Sequence, residues 1–293
     1  MLYLIGSIVL TSYLTLSFKA VERFNIPLLQ AIVFNYVFCV VTGSVVNGSF
    51  PIGSSTVDQP WFPWAMLMGG IFFSLFNVIG FTTQKIGVAV ASVANKLSLV
   101  IPFVASIYLY NEPSTVLKVA GIVIALLAVF LTCLPSHGET ASHKHLSRTL
   151  LIALPLVIFV GSGALDTMIK YVEQGFINES NNNEYLITSF ASAATVGLLT
   201  LAGLLLSGKA KFDPRSILAG LLIGVPNYFS IWCLVHVLKL YEGRSSAIIP
   251  INNMGIVLFS SVMAWLLFKE HLTRTNWIGI LLSLGAIALI AFG

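Results

Sequence analysis

Ten apolar runs, most of them close to 20 residues long, divide this sequence at polar breaks. A helix of about 20 apolar residues spans the roughly 30 Å hydrocarbon core of a bilayer. Backbone groups must be hydrogen-bonded within that core, so each run predicts a transmembrane helix. The predicted spans are Leu2–Phe18, Leu28–Val46, Pro63–Thr83, Ala89–Tyr110, Thr115–Leu134, Thr149–Tyr171, Tyr185–Leu206, Ser216–Leu238, Ser245–Phe268 and Thr275–Phe292.

Composition agrees with a location in a membrane. Only 9% of the 293 residues are charged, against about 25% in soluble domains, and the mean hydropathy is +0.94. We therefore predict an all-α polytopic membrane protein, surrounded by lipid bilayer, in the cell membrane. The formal net charge of +4 comes from basic residues scattered singly between apolar runs, so no nucleic acid partner is expected.

The sequence repeats itself at a shift of 158 residues. Four spaced positions of the fourth and fifth spans return in the ninth and tenth, where Asn95, Glu112, Thr115 and Gly121 meet Asn253, Glu270, Thr273 and Gly279. We predict two repeats, residues 1–135 and 148–293, joined by a polar linker at 136–147. Because five spans is an odd number, the second repeat enters the membrane from the opposite side. This five-plus-five inverted-topology repeat is typical of alternating access around a site near the midplane.

The turn that ends each hairpin resembles a known family. Tyr110-Asn-Glu112-Pro-Ser-Thr115 with Gly121, and Phe268-Lys-Glu270-His-Leu-Thr273 with Trp277-Ile-Gly279, are similar to the Gly-Glu turn and Gly-rich helix of the drug/metabolite transporter superfamily, and more closely to EamA-type exporters. Asn111 and Lys269 depart from the pattern, where the family commonly has Gly. The resemblance implies a carrier for small organic solutes, often an exporter, with a cavity lined by the first, third, fourth, sixth, eighth and ninth helices.

Lys96 is a charge that the repeated architecture does not explain, since its equivalent is Met254. In a span from Ala89 to Tyr110 it lies about four residues, or about 5 Å, from the middle. Facing lipid there would cost about 2.5–3.5 kcal/mol. We predict that Lys96 is a counter-charge for an anionic group on the solute, such as a carboxylate or phosphate. The alternatives are a structural lysine bonded to helix-end carbonyls, or a span that begins nearer Ser92.

Asp166 is the other charge within a span, and Lys170 follows it by one helical turn. An intrahelical pair near the membrane edge would explain both residues. The alternatives are a proton-coupling carboxylate or a contact to an amine of the solute. By residue count along their helices, Asp166 and Lys96 differ in depth by roughly 14 Å, so no direct pairing is expected.

Polar side chains in several other spans are further candidates for the cavity. Besides Lys96 and Asp166 they are Asn95, Asn77, Tyr13, Asn227, Tyr228, Trp232 and Asn253. Hydrogen bonding between helices would explain them equally well. Pro102, Pro226 and Pro250 lie within spans, where proline removes a backbone hydrogen bond and bends the helix. They are candidates for gating, with a static kink as the alternative.

The combined pattern predicts a secondary transporter, an exporter by resemblance, for amino-acid-like or other small amphipathic solutes. The sequence carries no Walker-type loop, no convergent nucleophile and base, and no metal-ligand spacing, so no catalytic residue, cofactor or metal is expected. A lipid-linked carrier or flippase of the same fold is the alternative, and an intramembrane enzyme a remote one. Monomer or homodimer is left open. Orientation is open too, because the basic residues favour both termini outside whereas the resembled family usually has both inside.

Overall fold

The computed structural model of the chain describes residues 1–110, 115–133, 147–178, 181–240, 245–270 and 272–292. Within these ranges the secondary structure is helical, with one 3₁₀ turn at Ser54–Thr56. The helices are α1 (Leu2–Arg23), α2 (Leu28–Asn47), α3 (Phe62–Lys85), α4 (Val88–Leu97), α5 (Val100–Tyr110), α6 (Val116–Cys133), α7 (Arg148–Phe176), α8 (Asn182–Leu206), α9 (Arg215–Leu240), α10 (Ser245–Phe268) and α11 (Arg274–Phe292). Glu112 and nearly all of the predicted linker lie outside the described residues.

These helices account for the predicted spans. In the described residues, eight apolar segments are long enough to cross a membrane, and the shorter apolar helices Val116–Thr132 and Arg274–Ile290 accompany them. The prediction of an all-α multi-pass membrane protein is therefore confirmed. The five-plus-five inverted repeat and its boundaries at 1–135 and 148–293 stay predictions.

The fourth span differs from its prediction because it is not one continuous helix. α4 ends at Leu97, Ser98 and Leu99 form a turn, and α5 begins at Val100. Pro102 has no N–H, and its ring clashes with the carbonyl four residues earlier, which is that of Ser98. The Ser98 carbonyl instead accepts a tighter hydrogen bond from the Ile101 N–H, at 2.9 Å. One proline thus explains a helix break inside the span.

Packing divides the chain into two compact units, each of which combines parts of both predicted repeats. Unit 1 comprises Met1–Lys19, Val78–Thr167 and Ser230–Gly293, and unit 2 comprises Ala20–Asn77 and Met168–Phe229. The core of unit 1 lies where α4, α6, α10 and α11 pack together. In unit 2, α2 packs along α8, and α9 also approaches α2 closely because Gly220 faces Phe34 and Gly224 faces Asn35.

The most extensive helix contact in unit 1 joins α6 and α11. Each helix presents a glycine to the other: Gly121 faces Ala286 and Ile290, and Gly279 faces Ala128 and Thr132. The two sets of contacts are equivalent under the 158-residue shift. Gly121 corresponds to Gly279, and Ala286 and Ile290 correspond to Ala128 and Thr132. Reciprocal contacts of this kind arise when a two-fold axis relates two similar elements. They agree with the predicted duplication.

The repeated threonines begin these two helices. The Thr115 hydroxyl accepts a hydrogen bond from the Lys118 N–H at 3.2 Å, and the Thr273 hydroxyl accepts one from the Asn276 N–H at the same distance. In the opposite direction, the Thr273 N–H donates a hydrogen bond to Oδ1 of Asn276 at 3.0 Å. Each threonine is thus an N-cap that satisfies a donor at a helix end.

Glu270, the repeated glutamate of the second hairpin, caps α4 across unit 1. Its carboxylate accepts hydrogen bonds from the Val88 N–H at 2.7 Å and the Ala89 N–H at 3.4 Å. The preceding residue, Gly87, has φ +141° and ψ 158°, a conformation that is essentially restricted to glycine. A carboxylate at a helix N-terminus also interacts favourably with the helix dipole.

Lys269, which departs from the family motif, adopts the left-handed conformation with φ +53°. A side chain in this region costs about 1–2 kcal/mol, a cost that glycine avoids. We therefore expect Lys269→Gly to raise the free energy of unfolding by about 1 kcal/mol, measured as a higher Tm of the purified protein in detergent. Lys269→Ala removes the same charge but keeps the strain, so an equal gain in that variant would contradict the explanation.

Candidate functional site

Lys96 lies in the last turn of α4, directly before the break in the fourth span. Its side chain is half-buried, whereas every residue of α4 before Asn95 is buried, so α4 is enclosed by protein rather than lipid. The C-terminal end of a helix carries a partial negative charge, which stabilises a lysine there. The helix break therefore provides part of the environment that a charge within the membrane needs.

Asp166 projects from the protein-facing side of α7. Pro155, Phe159 and Ser162 precede it on the same face at helical spacing, and all three are buried, whereas Leu156 and Val160 form an exposed apolar stripe on another face. Asp166 itself is exposed. Asp166 is therefore accessible, although it lies on a face of α7 whose preceding residues are buried.

The two charges interact beside the helix break. Asp166 hydrogen-bonds to the Ser98 side chain and interacts electrostatically with Lys96. Gly163, one turn earlier on α7, allows this approach, because a Cβ at that position would lie 2.4 Å from the side chain of Ile101. Asp166 and Lys96 are thus close enough to interact electrostatically. The residue count assumes one straight fourth helix, whereas this span turns at Ser98 and Leu99.

Further polar groups lie one turn from each charge. Ser92 precedes Lys96 by four residues on α4, and Ser162 precedes Asp166 by four residues on α7. Both hydroxyls are buried and have no hydrogen-bond partner in the structure, and the same is true of Oδ1 of Asn252 on α10. Buried polar atoms are almost always paired with protein or water, so these groups are available to water or to a polar ligand.

The other predicted residues of unit 1 vary in their surroundings. Asn95 and Asn253 are half-buried, the first beside Lys96 and the second on α10, which packs against α4. Tyr13 lies on an exposed stripe of α1 with Ile5 and Val9. The Trp232 ring packs against the His236 ring in a tilted arrangement, with centroids 3.7 Å apart. A contact between any of them and solute stays a prediction.

The predicted residues of unit 2 are engaged in helix contacts. Asn227 is 5% exposed and donates a hydrogen bond from Nδ2 to Oδ1 of Asn35 at 3.1 Å, so hydrogen bonding between helices explains it. Asn77 donates to the Phe73 carbonyl of its own helix at 2.8 Å. Tyr228 is buried against Gly43.

The three predicted prolines behave differently. Pro102 lies at the break between α4 and α5, whereas α9 continues through Pro226 and α10 through Pro250. Gating by any of the three stays a prediction. Of the three, only Pro102 coincides with a change of secondary structure, and that change is beside the two charges.

Two buried residues that were not among the predicted candidates contact Asp166 and Asn227. Ser98 is fully buried and contacts Asp166, and Asn35 is the buried partner of Asn227. A signal for Ser98 exists in the sequence, because a residue four positions before a proline loses its helical hydrogen bond. Asn35 gives no comparable signal, since asparagines are frequent in the other spans.

Comparisons with known proteins agree with this fold. Residues 149–292 match the model of the EamA-like transporter family. A protein of Haemophilus influenzae described as uncharacterized is 24% identical over 97% of this chain and 95% of its own length. A solved crystal structure superposes on this chain with a TM-score of 0.60 at 16% identity. The alignment covers 99% of this chain and 96% of the solved chain, which shows a shared fold.

The family match confirms the resemblance that the two Glu-containing turns indicated. Members of this family are membrane transporters, so the similarity favours transport of small solutes over catalysis. The helices describe a multi-pass membrane protein, and the match over residues 149–292 is consistent with the drug/metabolite transporter superfamily. By this match, residues 149–292 are similar to the EamA-like transporter family.

Proposed function

We propose that the protein is a secondary transporter that moves small organic acids, including amino-acid-like solutes, by alternating access, and that Lys96 holds their acidic group. The observation that carries the proposal is a half-buried lysine at a break in a membrane helix, beside an exposed carboxylate on the protein-facing side of α7. Charged residues within membrane spans commonly mark the pathway of a substrate or ion.

The chemistry around Lys96 fits an acid with an apolar remainder. A lysine ammonium carries three donors, and the unpaired Ser92 hydroxyl lies one turn away. Leu97 and Val100 belong to a buried apolar cluster, against which Met254 also packs. One end of a solute would therefore meet charge and the other would meet hydrocarbon. Export, the direction that is frequent in the family, is part of this proposal.

Alternating access is supported by the same helix break. Broken membrane helices expose helix ends and free backbone groups near a substrate, and they can change their angle at the break. Gly121 and Gly279 give α6 and α11 equivalent contacts, as expected if two similar halves exchange conformations. The solute would be exposed to one side of the membrane and then to the other.

Lys96→Gln is expected to slow solute counterflow in proteoliposomes by about 10- to 100-fold at low solute concentration, because a hydrogen bond to a charged group contributes about 1.5–3 kcal/mol. The solutes are found first, by screening monocarboxylates and amino acids for thermal stabilisation of the purified protein. Lys118→Gln is the matched control. Lys118 also belongs to a membrane helix, but its ammonium lies 5.8 Å from the centre of the Phe103 ring.

Three outcomes separate the possibilities. Slow counterflow in Lys96→Gln and normal counterflow in Lys118→Gln would support the proposal. A native rate in well-folded Lys96→Gln protein would exclude Lys96 from the solute path. Stabilisation by a lipid with an acidic headgroup, with none by any soluble acid, would favour a flippase instead.

A further inference from the structure

Two turns of unit 2 are held together at one end of the helices, residues 24–27 between α1 and α2 and residues 207–214 between α8 and α9. The buried amide of Gln30, in the first turn of α2, connects them. Its Nε2 donates to the Lys211 carbonyl at 2.7 Å, and its Oε1 accepts from the Asp213 N–H at 3.0 Å. Because both ends of one amide bind the second turn, the surface that the two turns form has its shape before any ligand binds.

Cations are concentrated on this surface. Arg215 reaches from the second turn to the first, where its Nη1 lies 3.5 Å from the Phe24 carbonyl oxygen. The two segments carry four cations and two carboxylates, those of Glu22 and Asp213, so a net positive charge remains. The basic surface is defined by its four exposed cations, Arg23, Lys209, Lys211 and Arg215.

Asp213 neutralises part of this charge but leaves Arg215 available. The Asp213 carboxylate accepts from Arg215 Nη2 at 2.7 Å and from Nε at 3.1 Å. The Arg215 side chain is nevertheless 63% exposed. A guanidinium carries five N–H donors, so an anion can bind Arg215 while the contact to Asp213 persists.

Exposed apolar side chains adjoin the basic surface. Phe24 and Phe212 are exposed within the two turns, and Leu206, the last residue of α8, is 90% exposed. α9 continues the apolar surface with exposed Leu218 and Leu222. Both helices are long and apolar enough to cross a membrane, so the cations lie where lipid-facing helices reach the headgroup level.

We propose that the basic surface binds the headgroup of an anionic phospholipid, whose acyl chains lie along the exposed apolar residues of α8 and α9. The phosphate accepts hydrogen bonds from Arg215 and from a lysine of the same turn, and the chains cover hydrocarbon that a soluble anion would leave uncovered. One lipid thereby links the α1–α2 turn to the α8–α9 turn and stabilises unit 2. This interaction is separate from the proposed transport of acids at Lys96.

The first test uses the native protein and phosphatidylglycerol as the probe. Native mass spectrometry of protein released from neutral detergent micelles counts the lipids that stay bound. We expect phosphatidylglycerol to bind about tenfold more tightly than phosphatidylcholine and to raise the Tm, because only phosphatidylglycerol carries a net negative charge. Binding should weaken as NaCl is raised from about 0.1 M to about 1 M, where the Debye length falls from about 10 Å to about 3 Å.

Three results of this test would overturn the proposal. Equal binding of the two lipids would mean that apolar contacts alone hold them. A phosphatidylglycerol affinity that is independent of salt would exclude the exposed cations. Inorganic phosphate at millimolar concentration should leave the Tm unchanged, and stabilisation equal to that by phosphatidylglycerol would assign the surface to a soluble anion.

The second test removes two of the cations. Lys209→Gln combined with Lys211→Gln should weaken phosphatidylglycerol binding about 25-fold, since each basic residue near anionic headgroups contributes about fivefold. Gln30 contacts the Lys211 backbone rather than its side chain, so the turn keeps its anchor. The control, Lys239→Gln combined with Arg274→Gln, removes two exposed cations of unit 1 and should bind normally. Equal loss in both double variants would show that only overall charge matters and would overturn the site.

A substitution at Asp213 should act in the opposite direction. Asp213→Asn keeps a side-chain oxygen for the Arg215 N–H, which lies 3.0 Å from Oδ1, but removes the negative charge that competes with a phosphate for the guanidinium. Phosphatidylglycerol should therefore bind about fivefold more tightly. A merely structural role of the Asp213–Arg215 pair predicts no gain, so unchanged or weaker binding would overturn the assignment of Arg215 to a headgroup site.

Discussion

Gly279→Ala is expected to destabilise the protein by about 1–3 kcal/mol, the usual cost of overpacking a tight interior contact. A Cβ at this position would lie 2.3 Å from Thr132 Oγ1, 2.7 Å from the Thr132 backbone nitrogen and 3.0 Å from the Ala128 carbonyl oxygen. Two of these are backbone atoms of α6, so they cannot move unless the helix moves. The contact joins the most extensively packed helix pair of unit 1.

A control for this prediction lies on the same helix. Gly285 has no atom within 4 Å of an added Cβ, so Gly285→Ala should be neutral or should stabilise α11 by up to about 1 kcal/mol through helix propensity. Thermal unfolding of the purified variants in detergent measures both changes. Equal Tm shifts for the two variants would show that the α6–α11 contact is not the cause.

Gly87→Ala is expected to be nearly as damaging, for a different reason. The backbone at φ +141° would be strained by about 1–3 kcal/mol with any side chain. The added Cβ would also lie 3.0 Å from Glu270 Oε1, the oxygen that caps α4. Glu270→Ala should itself cost about 1–3 kcal/mol, because the Val88 and Ala89 N–H groups lose their acceptor inside the protein.

A double-mutant cycle distinguishes strain from loss of the cap. If Gly87→Ala acts partly by displacing the carboxylate, the two substitutions together should cost less than the sum of their separate effects. Gly53→Ala serves as the control for a loop glycine, since its φ is −128° and no atom lies near the added Cβ. Full additivity would mean that Gly87 matters for its backbone conformation alone.

Sequence reasoning predicted the membrane spans because their signal is local and strong. Lengths of apolar runs follow directly from the thickness of a bilayer, and the polar breaks between them are plain. The repeated residues also turn out to have structural roles: Thr115 and Thr273 cap helices, Gly121 and Gly279 allow close packing, and Glu270 caps α4. These residues have identical equivalents in the other repeat, whereas Lys96 corresponds to Met254.

The arrangement of the site was less predictable. Straight helices would place Asp166 and Lys96 at different depths, but the fourth span turns at Ser98 and Leu99, and Asp166 interacts with Ser98 there. Pro102 was recognised as a possible bend, but a proline alone does not specify whether a helix kinks, breaks or continues, and α9 continues through Pro226. Asn227 was an equivocal candidate because its partner Asn35 is distant in sequence.

The cap that Glu270 provides for α4 has a consequence for biosynthesis. Val88 and Glu270 are 182 residues apart, so α4 leaves the ribosome long before its acceptor is made. Until then the first N–H groups of α4 must be hydrated or held by the insertion machinery, because hydrocarbon offers them no partner. A chain truncated before α10 would lack the acceptor for the first N–H groups of α4. The N-terminus of α4 is therefore capped only after the second hairpin has been made.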